Sequence, residues 1–183
     1  AIDPYFYRSH VTYQSELEHI IFKSWLYAGH VSQIPNKGDY FLFDIGEDSI
    51  IICRDRKEEI HAMHNMCRHR GARVCEEPSG NCRVFACPYH GWGYALDGTL
   101  KAARDMRDVE GFNFEDYGLL HVRMEIFQGM IFINCDPDAP DFKKPLSKIS
   151  KQLGAYDLEN AKVAEAKTYK IDLDTGKRIR SFG

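Results

Sequence analysis

The chain has no run of about 18 or more apolar residues, which excludes a transmembrane helix. It has no excess of basic charge either. Lys and Arg number 24 against 27 Asp and Glu, a formal net charge of −3, so no basic footprint for nucleic acid is present. The first residues, Ala1-Ile2-Asp3-Pro4, lack the basic start and apolar core of a secretory signal, and the missing Met suggests processing or trimming. No internal repeat and no low-complexity tract occurs. The six cysteines (Cys53, Cys67, Cys75, Cys82, Cys87 and Cys135) show no secreted disulfide framework, and a reducing cytoplasm suits them better. Histidine is scarce downstream: of eight, His121 is the single one after His90.

What is present is a double pair of soft ligands. Cys67-Arg68-His69 and Cys87-Pro88-Tyr89-His90 flank residues 70–86, giving C-x-H-x17-C-x2-H. A [2Fe–2S] cluster with two Cys on one iron and two His on the other needs such an arrangement. Each pair must come from a tight loop, and Gly71 and Gly91 stand where the backbone would have to turn sharply. Cys/His pairs also build tetrahedral zinc sites, and free Cys is often plain core. Spacing leaves these readings open. Cys75 and Cys82, between the pairs, read as small buried or half-buried thiols.

The 183 residues suit one domain with a real core. Residues 1–14 form an aromatic-rich arm. Ser15 and Glu18 read as a capping box, and Leu17, Ile20, Ile21 and Trp25 predict an amphipathic helix over 16–24. Strands are expected over 25–30 and 40–45, separated by a turn at 34–38. A hairpin is expected from 49–54 and 59–63 around the charged tip 55–58. His61 and His64, three apart, would point to opposite faces of a strand, which argues against a shared metal. Residues 76–81 read as a turn, and 84–86 and 93–96 as strands around the second loop. Asp97-Gly98 suggests a type I′ turn. The charged stretch 101–117 reads as a surface excursion. Strands are expected at 119–123 and 130–134, then a helix with Pro145, Leu146, Ile149 and Leu153 closing near Gly154. Residues 163–173 alternate loosely and suggest a strand leaving the domain.

The loops read Cys67-Arg68-His69-Arg70-Gly71 and Cys87-Pro88-Tyr89-His90-Gly91-Trp92. With the Trp25…Gly29-His30 segment and the Gly129–Asn134 strand, they resemble the Rieske domain of the large subunit of ring-hydroxylating and N-demethylating oxygenases. The resemblance runs from about Tyr13 to about Tyr169. It implies a mainly β fold: an antiparallel β-sandwich with a small cluster-binding subdomain at about 64–100, plus short N- and C-terminal helices. Residues 1–40 would be arm, helix and first strand, 41–135 the cluster domain, and 136–183 an extension toward a catalytic domain.

The same resemblance implies a [2Fe–2S] cluster with Cys67 and Cys87 on the inner iron and His69 and His90 on the outer one. Trp92 and Tyr94 would pack beside it. Arg68 and Arg70 would steer an acidic donor or stay solvated. A ferredoxin or flavin reductase would supply electrons. A mononuclear-iron domain, of the same subunit or a neighbouring one in the family's trimers, would receive them to activate O₂. That iron needs two His and a carboxylate, and His121 cannot supply two. The chain is therefore expected to transfer electrons without oxygenating a substrate. The tail 174–183 reads as cut near a domain boundary or as non-native. Ala72, Tyr89 and Trp92 stand where respiratory Rieske proteins carry a bridging Cys pair and a Ser donor, which implies a low potential.

Overall fold

A computed structural model describes residues 3–106, 108–165, 167, 170–171 and 178–179. Every strand pairing in it is antiparallel. The strands are β1 Leu26–His30, β2 Asp39–Ile45, β3 Asp48–Arg54, β4 Ile60–His64, β5 Ser79–Asn81, β6 Phe85–Ala86, β7 Gly93–Tyr94, β8 Leu100–Ala102, β9 Arg123–Phe127 and β10 Met130–Asn134. They form sheets in the orders β1-β10-β9, β4-β3-β2-β5 and β6-β7-β8. The mainly β architecture expected from the resemblance is present.

Strand β3 explains why its sequence is an unbroken apolar run rather than an alternation. Successive side chains on a strand point to opposite faces. Ile50 and Ile52 enter a core with Ile34, Phe41, Ala62, Ile131 and Ile133. Ile51 and Cys53 enter a second core with Met63, Phe85, Trp92, Tyr94 and Leu100. Both faces of β3 are dry, and the second core is the floor beneath the cysteine/histidine loops.

The N-terminal helix departs from expectation. Helix α1 spans Tyr5–Arg8 and α2 spans His10–Glu16. Ser9 is the N-cap of α2, its hydroxyl accepting the Thr12 N–H, so Ser15 caps nothing and lies inside the helix. Residues Leu17–Ile21 then widen into a π-turn, closed by Phe22 N–H to the Leu17 carbonyl at 2.9 Å. An i→i+5 turn moves the i+3 position off the buried face. Leu17 is buried, with Ile21 and Phe22 packed beside the same core, while Ile20 is 57% exposed.

Other differences have local causes. Residues 119–122 do not pair with β10. They run along β4, with His64 N–H on the Leu120 carbonyl and Val122 N–H on the Ala62 carbonyl, so the β9 strand starts later, at Arg123. The expected turn at 76–81 ends in the edge strand β5 against β2. At Asp97-Gly98 only Gly98 has positive φ, +84°, whereas type I′ needs two such residues. The excursion 101–117 begins within β8 and carries an inward-facing aromatic group, Phe112, Phe114 and Tyr117. Helix α3, Lys143–Leu153, closes at Gly154 as expected. Residues 163–165 are not a strand. A two-residue strand at Lys170–Ile171 pairs with Arg178–Ile179, and the rest of the expected strand and tail lies outside the described residues.

Trp25 marks where the chain enters the sandwich. Its indole N–H donates to the Pro140 carbonyl at 2.9 Å, and its ring meets Phe142 at 4.9 Å. Arg123 lies over that ring at 5.7 Å and donates to the Ala139 carbonyl.

Candidate metal centre

The two loops share one backbone frame. In the first, Cys67 N–H donates to the Ala72 carbonyl and Gly71 N–H to the Cys67 carbonyl, at 2.8 and 2.9 Å. In the second, Cys87 N–H donates to the Trp92 carbonyl and Gly91 N–H to the Cys87 carbonyl, at 2.8 and 3.0 Å. Gly71 and Gly91 have φ of +73° and +69°, the left-handed region that costs other residues about 1–2 kcal/mol. A Cβ at Gly91 would meet nothing within 4 Å. Conformation rather than space therefore requires glycine there.

The base of each loop is anchored differently. Strands β6 and β7 close the second loop, pairing Ala86 with Gly93 and Phe85 with Tyr94. The first has no strand pair and relies on Asn65. Its buried amide oxygen accepts the N–H groups of Val74 and Cys75 at 2.9 and 2.8 Å, and its amide nitrogen donates to the Cys75 carbonyl at 2.7 Å. A lone Asn before a Cys/His pair carries no signal that it spans ten residues.

The expected site residues converge. Cys67 and Cys87 are both 3% exposed. Burial pushes the Cys87 thiol up, opposed by N–H groups of Tyr89 and His90 aimed at its sulfur. The His69 and His90 rings lie 4.6 Å apart, crossed at 70°. Burial lowers the His69 pKa, assisted by His90 and Arg70. The Tyr94 hydroxyl is 3.2 Å from Cys67 Sγ and accepts the Arg68 N–H at 3.1 Å. Burial and then the Cys67 neighbour push the Tyr94 phenol up, so it keeps its proton. Trp92 is 2% exposed and stacks on His69, ring centres 4.9 Å apart and planes within 9°. Tyr94 and Trp92 thus touch the pairs directly. Arg70 is exposed, whereas Arg68 is half-buried and its Nε is covered. A cavity of about 460 Å³ lies over the imidazoles, lined by His69, Tyr89, His90, Trp92, Arg104 and Met106 among others.

His69 Nδ1 is buried and has no hydrogen-bond partner, one of three such side-chain atoms among the described residues. A buried imidazole nitrogen without a partner is costly unless something else takes its lone pair. Two thiols, two imidazoles and that nitrogen fit a cluster with mixed S and N ligation.

Residues 24–113 match the family model described as "Rieske [2Fe-2S] domain". The chain carries a Rieske [2Fe–2S] domain. Its relatives are Rieske oxygenase alpha subunits. The chain is 42% identical over 141 residues to the biphenyl 2,3-dioxygenase subunit alpha of Rhodococcus jostii strain RHA1, covering 76% of this chain and 31% of that protein. It is 33% identical over 178 residues to the glycine betaine monooxygenase oxygenase subunit of Pseudomonas aeruginosa strain UCBPP-PA14, covering 94% and 41%. Among solved structures, a quaternary ammonium Rieske monooxygenase superposes with a TM-score of 0.79 at 31% identity, covering 88% of this chain and 45% of that one. The chain thus spans between 31% and 41% of the length of these two curated relatives.

A further polar group among the described residues lies outside the Rieske loops. Asp55, Glu59 and His61 bring ligand-type atoms within 4.8 Å of one another. There Asp55 accepts the N–H groups of Lys57 and Glu59 and lies 3.1 Å from His61 Nε2, which clasps the hairpin tip. The backbone N–H of His64 donates to the Leu120 carbonyl at 2.8 Å, holding the 119–122 segment along β4. All six cysteines are free, and burial, then Cys82, pushes the Cys75 thiol up to about 12. Among the described residues no helix is long and apolar enough to cross a membrane.

Proposed function

We propose that Cys67 and Cys87 hold one iron of the cluster as thiolates and His69 and His90 hold the other, and that the chain is the electron-transfer module of a Rieske oxygenase. The reading rests above all on His69 Nδ1, a buried ring nitrogen with no hydrogen-bond partner in the same pair of loops as two buried thiols. When bound, the cluster supplies one-electron oxidation and reduction. The chain's own groups set the conditions. Tyr94 donates its hydroxyl hydrogen toward Cys67 Sγ, and the N–H groups of Tyr89 and His90 point at Cys87 Sγ. Such donors favour thiolate over thiol. Trp92 keeps water off the His69 side. His90 and Tyr89 are exposed, Tyr89 by 60%, so the imidazole edge faces partners.

The parent protein in this reading hydroxylates an aromatic ring or N-demethylates a quaternary amine, the two chemistries suggested by its relatives. A ferredoxin or flavin reductase reduces the cluster in a reducing cytoplasm, which the six free thiols suit. A mononuclear-iron domain takes the electron.

Iron and acid-labile sulfide analysis tests the ligand set. Protein produced with ample iron should contain two of each per chain and absorb in the visible. Cys67→Ala and Cys87→Ala should abolish that spectrum, because site formation and folding are coupled. Stoichiometric zinc with no iron would overturn the reading.

A further inference from the structure

The stretch 101–117 is rich in exposed charge, yet it places three aromatic rings on the inside. Phe112 and Tyr117 stack on each other, with centres 4.5 Å apart and planes at 25°. Both meet the Trp92 indole edge-on, at 5.7 and 5.9 Å. Phe114 buttresses Phe112 at 5.3 Å. Trp92 in turn lies flat on His69. The indole thus has His69 against its face and two rings in edge-on contact.

We infer that Phe112 and Tyr117 are positioning residues, holding the plane of the His69 imidazole through Trp92. This rests on the ligand set proposed above. A stacked ring cannot rotate about its Cβ–Cγ bond without displacing its neighbour, and cores as dense as crystals resist such displacement. Rotation of Trp92 would drive its edge into Phe112 or Tyr117. The two imidazoles are therefore held unequally. His69 is half-buried and clamped. His90 is exposed, and its neighbour Tyr89 lies 3.8 Å away at a 36° tilt and is itself exposed. The orientation of one ligand is thus set by two rings whose aromatic contacts run to Trp92 and not to the imidazoles. Ring orientation governs how a ligand's orbitals meet the metal, and outer neighbours tune a site through it.

The test uses the full chain with its cluster. Phe112→Leu, Tyr117→Leu, Trp92→Leu and Trp92→Phe are compared with Phe132→Leu, which removes a ring from β10, away from the loops. Iron content, melting temperature, the g-values of the reduced protein and the midpoint potential at one pH are read for each. Phe112→Leu and Tyr117→Leu should keep the cluster while broadening and shifting the g-values and moving the midpoint. Trp92→Leu should do so more strongly, and Trp92→Phe, which restores a flat ring, should return both toward wild type. Phe132→Leu should lower the melting temperature alone. If Phe112→Leu fails to load, the milder Phe112→Met is read in the same way. Wild-type g-values and midpoint in destabilised Phe112 and Tyr117 variants would overturn the inference and leave these rings as core. A wild-type chain without a cluster would instead overturn the ligand assignment.

Discussion

The His30 imidazole and the Leu158 carbonyl are 128 residues apart in sequence and 3.0 Å apart in space. The Ser32 N–H donates to His30 Nδ1 at 3.2 Å, so the proton sits on Nε2 and is donated to Leu158. His30 is 5% exposed and rests over Gly129 at the β9–β10 turn. One neutral histidine thereby joins the end of β1, the β-hairpin and the segment that follows α3.

His30→Ala should break this junction. It leaves a cavity and an unpartnered Ser32 N–H, a loss of roughly 2–4 kcal/mol. Chemical denaturation should record that loss, and limited proteolysis should cut faster between Gly154 and Glu165.

Glycine-to-alanine changes should separate space from conformation. Gly91→Ala meets nothing within 4 Å and should cost only the left-handed backbone, about 1–2 kcal/mol. Gly129→Ala has φ of +77° and also drives a Cβ into the His30 ring, so it should cost more by about 1–3 kcal/mol. Equal denaturation midpoints for the two would contradict the packing described for His30.

The cluster's potential should fall near the bottom of the Rieske range, roughly −150 mV rather than roughly +300 mV. Ala72 and Tyr89 bring no thiol for a loop disulfide and Trp92 brings no hydroxyl for a Ser-like donor to sulfur, while the Tyr94 hydroxyl lies 3.2 Å from Cys67 Sγ. A donor to sulfur stabilises the more negative, reduced state. Tyr94→Phe should lower the midpoint by roughly 40 mV, the one-electron equivalent of about 1 kcal/mol. Protein-film voltammetry on both forms gives the difference.

Acid should unfold the protein partly through Asp55. Burial works against its ionisation, but the His61 side chain and the Glu59 and Lys57 N–H groups outweigh it and hold the pKa below the ordinary value. A depressed carboxyl contributes stability fully above the unfolded value, about 4, and loses it as pH falls through the folded value. Asp55→Asn should therefore flatten the acid limb of the stability curve below about pH 4. His64 is held low by burial against the opposing pull of Asp48. Its contribution has the same sign and drains below about pH 6.5, so His64→Gln should flatten the curve there.

The cysteine/histidine pairs, the glycine turns and most strands were legible because each rests on neighbours in sequence. Ile50–Cys53 read correctly as a strand, since a run this apolar and β-branched is strand-like even when both faces are buried. The π-turn was not legible, because one inserted residue changes which of Ile20, Ile21 and Phe22 faces inward, and the apolar pattern suits either. The rings of Phe112, Phe114 and Tyr117 were hidden among acidic neighbours. Trp92, the partner of Phe112 and Tyr117, stands twenty and twenty-five residues upstream of them, and no periodicity ties them to it. Asn65 was missed for the same reason: its value lies in the carbonyl and N–H groups it reaches, not in its own spacing.

The clasp of Trp25 with Pro140 and Phe142 has a mechanical consequence. The segment leading into the sandwich and the one leading out of it are fastened to each other at one patch. Tension between Trp25 and the start of helix α3 therefore falls on that patch before it reaches the floor under the Rieske loops. Under a steady pull from both ends, the Leu17 and Leu158 contacts should part first and the indole clasp next, while the cluster's visible absorption persists.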